Sequence, residues 1–128
     1  MSFEVHEKFF KNLMSKKDKG TEYTFRGDLE VLLNEIKSDD KIKIIQEAKK
    51  NEEKKGKPDF KIIKNDLIIG YIETKNLTIN LSEIIDKDNQ SRDAVQFRKY
   101  LELTNNLILT NYKDYMLCTC LAVSDMPQ

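Results

Sequence analysis

Apolar residues recur at three- and four-residue spacing from Phe25 through Leu29, Leu32 and Leu33 to Ile36, the stripe of a helix that lays one face on a core. The spacing predicts a helix over residues 21–36, with Thr21 or Thr24 as its N-cap. Ahead of it, Phe3, Phe9, Phe10, Leu13 and Met14 stand in a polar background and predict a first helix over 3–14, with Gly20 as its stop. Ser38-Asp39-Asp40 breaks the helical pattern, and Lys41 to Ile45 alternates as a strand does. Residues 47–57 are mostly charged and read as a solvated loop, which brings Lys54, Lys55 and Lys57 up to Asp59.

Phe60 to Lys64 and Leu67 to Lys75 read as two strands around an Asn65-Asp66 turn. The run Leu67 to Ile72 is apolar on both faces, which predicts a central strand covered by helices on each side. Leu81, Ile84 and Ile85 suit a single helical turn. Ser91 caps a helix that carries Ala94, Val95, Phe97, Tyr100, Leu101 and Leu103, and Asn105-Asn106 ends it. Leu107 to Thr110 is a short buried strand, Tyr115 to Val123 supplies one more, and residues 124–128 form an unstructured end. The order helix, helix, strand, strand, strand, helix, strand, strand predicts an α/β fold, a mixed central β-sheet flanked by α-helices.

With 128 residues the chain has the size of one domain, 1–128, built on one core. Apolar residues make up 39% and charged residues 34%, and the formal net charge is zero. Affinity for a polyanion must then come from a local patch, a metal ion or the rest of an assembly. The N-terminal residues do not form a basic segment followed by an apolar one, and no run has membrane-spanning length, so a cytoplasmic protein with no membrane partner is expected. Cys118 and Cys120 form a C-x-C pair with His6 as the sole histidine, too few ligands for a structural zinc site. His6 reads as a surface residue.

Glu73 and Lys75 are two apart on a strand, so both side chains leave the same face. Thr74 points the other way, but its carbonyl lies between them. Asp59, Glu73 and that carbonyl make the oxygen-only ligand set that Mg²⁺ prefers, with Mn²⁺ as a substitute. Lys75 supplies a compact charge that can hold an attacking water and offset charge on a phosphorane. Register sets a condition on this site, because a regular two-residue turn at Asn65-Asp66 pairs Asp59 with Ile72, on the face opposite Glu73. The carboxylates meet only if the loop has odd length, if a bulge occurs near Gly70, or if Asp59 lies just before the regular strand. Glu22 and Arg26, four apart, are expected to pair on the helix surface for about 0.3–0.5 kcal/mol.

Pro58-Asp59 with Glu73-Thr74-Lys75 resembles the PD-(D/E)xK nuclease superfamily. Thr21 to Arg26 with Leu29, Gly70 to Lys75, Gln96 to Leu101 and Asn106 to Tyr112 are similar, in that order, to the N-terminal nuclease module of single-chain restriction-modification enzymes, type IIG and type I-like. The resemblance covers residues 8–112, whereas 113–128 do not look like the family's continuation. It implies a restriction endonuclease-like fold and Mg²⁺-dependent hydrolysis of phosphodiester bonds in double-stranded DNA. By the same resemblance Asp59 and Glu73 are metal carboxylates, Lys75 is the catalytic lysine, and Glu22 is a further acid near the metal, with Glu30 a weaker candidate. Gln96 would orient the DNA or the site, and Tyr100 would pack. Implied partners are methyltransferase and target-recognition regions or subunits, and a second copy, as a weak or DNA-induced homodimer, for cutting both strands. The rival expectation is a catalytically silent nuclease-like module that binds DNA or a protein partner.

Overall fold

The structure, a computed structural model, describes residues 7–11, 14, 22–37, 39–47 and 56–119, the side chains of 22–24 excepted. Its elements are α1 (Glu22–Ile36), β1 (Ile42–Gln46), β2 (Phe60–Lys64), β3 (Leu67–Thr74), α2 (Leu81–Ile85), α3 (Arg92–Leu103), β4 (Leu107–Thr110) and β5 (Tyr115–Cys118). Residues 7–11 and 14 are also helical, within the first predicted helix. Because α1 begins at Glu22, Thr24 lies inside it and is not its cap. Thr21, His6, Lys54, Lys55 and Cys120 lie outside the described residues.

The five strands lie in the order β1-β2-β3-β4-β5, antiparallel throughout except for the parallel β3–β4 pair. A parallel pair cannot be joined by a tight hairpin, and here α2 and α3 make the crossover. The α/β class with a mixed sheet flanked by helices is therefore observed. Caps hold the crossover helices: the Ala94 N–H donates to Ser91 Oγ at 3.2 Å and the Ser82 N–H to Asn80 Oδ1 at 3.0 Å. Caps of this kind contribute about 1 kcal/mol each. No helix among the described residues is long and apolar enough to cross a membrane.

Alternation along β3 divides the core between the two faces. Ile72 packs with Phe60, Phe25, Leu29, Leu32 and Tyr112 on the α1 side, while Tyr71 packs with Phe97, Tyr100, Leu101, Leu107 and Leu109 on the α3 side. The expectation that the whole run from Leu67 is covered on both faces needs correction. Leu67, Ile68 and Ile69 are 69%, 51% and 41% exposed, and burial begins at Gly70. The hairpin end of β3 lies beyond the two apolar clusters, so only its C-terminal half is a central strand.

Asn65 and Asp66 turn the hairpin with φ of 51° and 65°, the positive pair of a type I′ turn. Lys64 stands opposite Leu67 and Ile63 opposite Ile68, but Ile62 stands opposite Gly70. Ile69 is thus the extra residue of a β-bulge. Beyond it Phe60 faces Ile72, so the next position sets Asp59 beside Glu73. Two of the three routes that the register argument allowed are used together, since β2 begins at Phe60 and Asp59 lies just before it. Asn106 clamps the bulge, its Nδ2 donating to the Ile69 carbonyl at 3.0 Å and its own carbonyl accepting the Tyr71 N–H at 2.9 Å.

Candidate active site

Asp59, Glu73, Thr74, Lys75 and Arg26 are all buried, at 1%, 1%, 2%, 8% and 6% exposure, which for the four charged side chains is unusual without tightly placed partners. The backbone N–H of Asp59 donates to Glu73 Oε1 at 3.1 Å, so the contact between these opposed residues is made by the Asp59 main chain. Asp59 Oδ2 accepts the Thr74 N–H at 2.8 Å and the Thr74 hydroxyl at 2.6 Å. The carboxylate thereby closes the β2–β3 ladder at its end. Asp59 Oδ1 lies 2.8 Å from Arg26 Nη2, and Arg26 Nε donates to Thr74 Oγ1 at 3.3 Å.

Lys75 extends β3 by its N–H, which donates to the Thr110 carbonyl at 2.8 Å. Its Nζ stands 3.3 Å from Glu73 Oε2 and 3.1 Å from Asp93 Oδ1. The contact between Glu73 and Lys75 places both on one face, as the period of two requires. Asp93 comes from the first turn of α3, where a carboxylate also suits the positive end of the helix. Arg26, Glu73, Lys75, Asp93 and Gln96 line one open pocket of about 320 Å³. A larger hollow of about 710 Å³ is walled mainly by Phe9, Phe10, Leu32, Leu33 and Tyr112 and holds none of these residues.

Gln96, carried from the resemblance, does share the pocket with Glu73 and Lys75. Tyr100 is buried, and its hydroxyl donates to the Lys57 carbonyl at 3.1 Å, which fixes the chain two residues before Asp59. Glu30 does not line the pocket, and the side chain of Glu22 lies outside the described residues. Arg26 is not the surface residue that its spacing from Glu22 suggested. It is buried and directed to Asp59 and Thr74, because α1 packs with that edge against the end of β3.

Asp93 had no motif to mark it. The available signal was its place two residues after the Ser91 cap and three before Gln96, which sets it on the same helical face.

Two carboxylates and a backbone carbonyl are hard oxygen donors, and Mg²⁺ is commonly held by one or two carboxylates with waters and a phosphate. Among the described residues no three Asp, Glu, His or Cys side chains converge as a metal-binding group. Glu73 borders the pocket, whereas Asp59 does not line it and is engaged by Arg26 and Thr74. The donors fit such an ion chemically, with Glu73 reachable from the pocket and Asp59 available once Arg26 yields its oxygen. No protein-family model matches the chain, and neither a curated protein nor a solved structure matches it.

Proposed function

We propose that the chain is a divalent-metal-dependent DNA endonuclease module with a restriction endonuclease-like fold, of the kind that serves restriction-modification enzymes. One observation carries the reading: the bulge at Ile69 sets Asp59 against Glu73, and two residues on Lys75 enters the same pocket as Gln96. That pocket combines hard oxygen donors, a buried ammonium and an amide, which suits a phosphodiester more than an apolar ligand.

Glu73 and Asp59, with the Thr74 carbonyl, would hold Mg²⁺ or Mn²⁺. When bound, the ion supplies charge neutralisation at phosphorus and a more acidic water. Lys75 positions its ammonium over the phosphate oxygens and stabilises negative charge as water adds to phosphorus and the ester oxygen leaves. Gln96 offers its amide to a phosphate oxygen or to water, donating through nitrogen and accepting through oxygen. Double-stranded DNA is the substrate, with target recognition supplied by other regions or subunits and a second copy for the second strand.

The test is nicking of supercoiled plasmid in Mg²⁺ or Mn²⁺. Wild type should nick, and Lys75→Ala should lose about 100-fold or more, the usual loss when one charge-stabilising donor is removed. Undiminished nicking by purified Lys75→Ala would refute the lysine's role. Asp59→Ala needs a folding control, because it removes the carboxylate that the buried Arg26 meets at 2.8 Å, and breaking a buried ion pair costs about 3–5 kcal/mol.

The Arg26–Asp59 ion pair favours a second reading, a nuclease-like module that has kept the fold and lost the metal, and binds DNA or a protein. Calorimetric Mn²⁺ titration separates the two. Equal heats from wild type and a folded Asp59→Asn variant would support the silent module.

A further inference from the structure

We infer that Arg26 is a further residue of this site, one that sets how readily Asp59 accepts a divalent cation, an inference that rests on the metal-dependent reading above. Asp59 is 1% exposed, and an ionised carboxylate so placed needs a counter-charge. Arg26 Nη2 supplies one at 2.8 Å from Oδ1. The second cation of the pocket, Lys75, stands instead on Glu73 and Asp93. A divalent ion directed to Asp59 Oδ1 therefore competes with Arg26 for the same oxygen.

Arg26 also borders the pocket, so a guanidinium displaced from Asp59 remains at the site. Its planar fork matches the oxygens of a phosphate, the group that would arrive with the cation. In this arrangement the arginine keeps a buried carboxylate neutralised before loading and turns to substrate afterwards. Lysine at position 26 would keep the charge but not the fork.

The experiment is Mn²⁺ titration by calorimetry, with thermal unfolding in Mn²⁺ and in EDTA, for wild type, Arg26→Met, Arg26→Gln and Arg26→Met with Asp59→Asn. Arg26→Met should bind Mn²⁺ at least about tenfold more tightly than wild type, the equivalent of ~1.4 kcal/mol, and its Tm should rise more on adding Mn²⁺. The double variant should lose both gains. A variant that folds in Mn²⁺ but not in EDTA supports the inference as well. Affinity equal to or weaker than wild type in Arg26→Met overturns it; if that protein folds in neither condition, Arg26→Gln is judged by the same criterion. None of these readouts involves cleavage. A wild type that fails to nick DNA while Arg26→Met gains Mn²⁺ affinity sinks the endonuclease reading alone, and a nicking wild type with unchanged affinity in Arg26→Met sinks this inference alone.

Discussion

A methyl group placed on Gly70 would stand 2.9 Å from the Asn106 carbonyl oxygen and 3.3 Å from the Asn106 Cβ. That oxygen has little room to retreat, since it accepts the Tyr71 N–H at 2.9 Å while the Asn106 side chain spans to the Ile69 carbonyl. Relief in Gly70→Ala therefore means separating β3 from the turn that leads into β4. Overpacking of this kind costs about 1–3 kcal/mol, and the lower entropy of an unfolded alanine chain returns up to about 1 kcal/mol. Taking about 2 kcal/mol for the first and about 0.5–1 kcal/mol for the second, the net loss should be about 1–1.5 kcal/mol, or roughly 4 °C in Tm for each kcal/mol at this chain length. Gly27→Ala is the matched control, inside α1 with nothing within 4 Å of the added Cβ. It should gain about 0.5–1 kcal/mol from helix propensity. Urea unfolding followed by circular dichroism reads both, with m-values expected to match wild type. Gly70→Ala as stable as wild type, or both variants shifting in the same direction, would refute the close approach as the reason for this glycine.

Two further outcomes are expected. Asp93→Asn removes the charge that Lys75 meets outside its own strand, and plasmid nicking should fall roughly tenfold, ~1.4 kcal/mol in the barrier, while Asp93→Glu keeps most of the rate; unchanged kcat in Asp93→Asn would deny it a positioning role. Burial raises the Cys118 thiol from 9.0 to about 11, so between those values the native protein holds a proton that the unfolded chain has released. This group's contribution is constant below that window and falls as pH rises through it. Urea midpoints measured at about pH 8 and about pH 10 should therefore drop more in wild type than in Cys118→Ala.

Much of this architecture was legible because short-range patterns dictate it. The Phe25 to Ile36 stripe, the Asn65-Asp66 turn and the alternation through Glu73 and Lys75 are local consequences of helix and strand periods. The bulge was one of three routes open to a site joining Asp59 and Glu73, since a regular two-residue turn would have put Asp59 on the opposite face. Less legible were the partners that tertiary packing selects. Arg26 reaches Thr74 across 48 positions, and no local spacing distinguishes that from an exposed pair with Glu22. Asn106 read as a helix stop, while its larger task is to hold a carbonyl 37 positions away. Leu67 to Ile69 show the converse limit: hydrophobicity states a preference for burial, not whether any element lies within reach.

The parallel pairing of β3 with β4 also has a consequence in time. Asp59, Glu73 and Lys75 leave the ribosome well before Asp93, Gln96 and the Thr110 carbonyl that receives the Lys75 N–H. Synthesis at roughly 5–20 residues per second separates the two events by seconds. Meanwhile one edge of β3 awaits its neighbour, an exposed ladder of the kind that chaperones cover and that aggregates nucleate on. The nascent protein thus carries its charged groups early and gains a pocket only with residues 93–110, so any chemistry of that pocket is withheld until translation has passed residue 110.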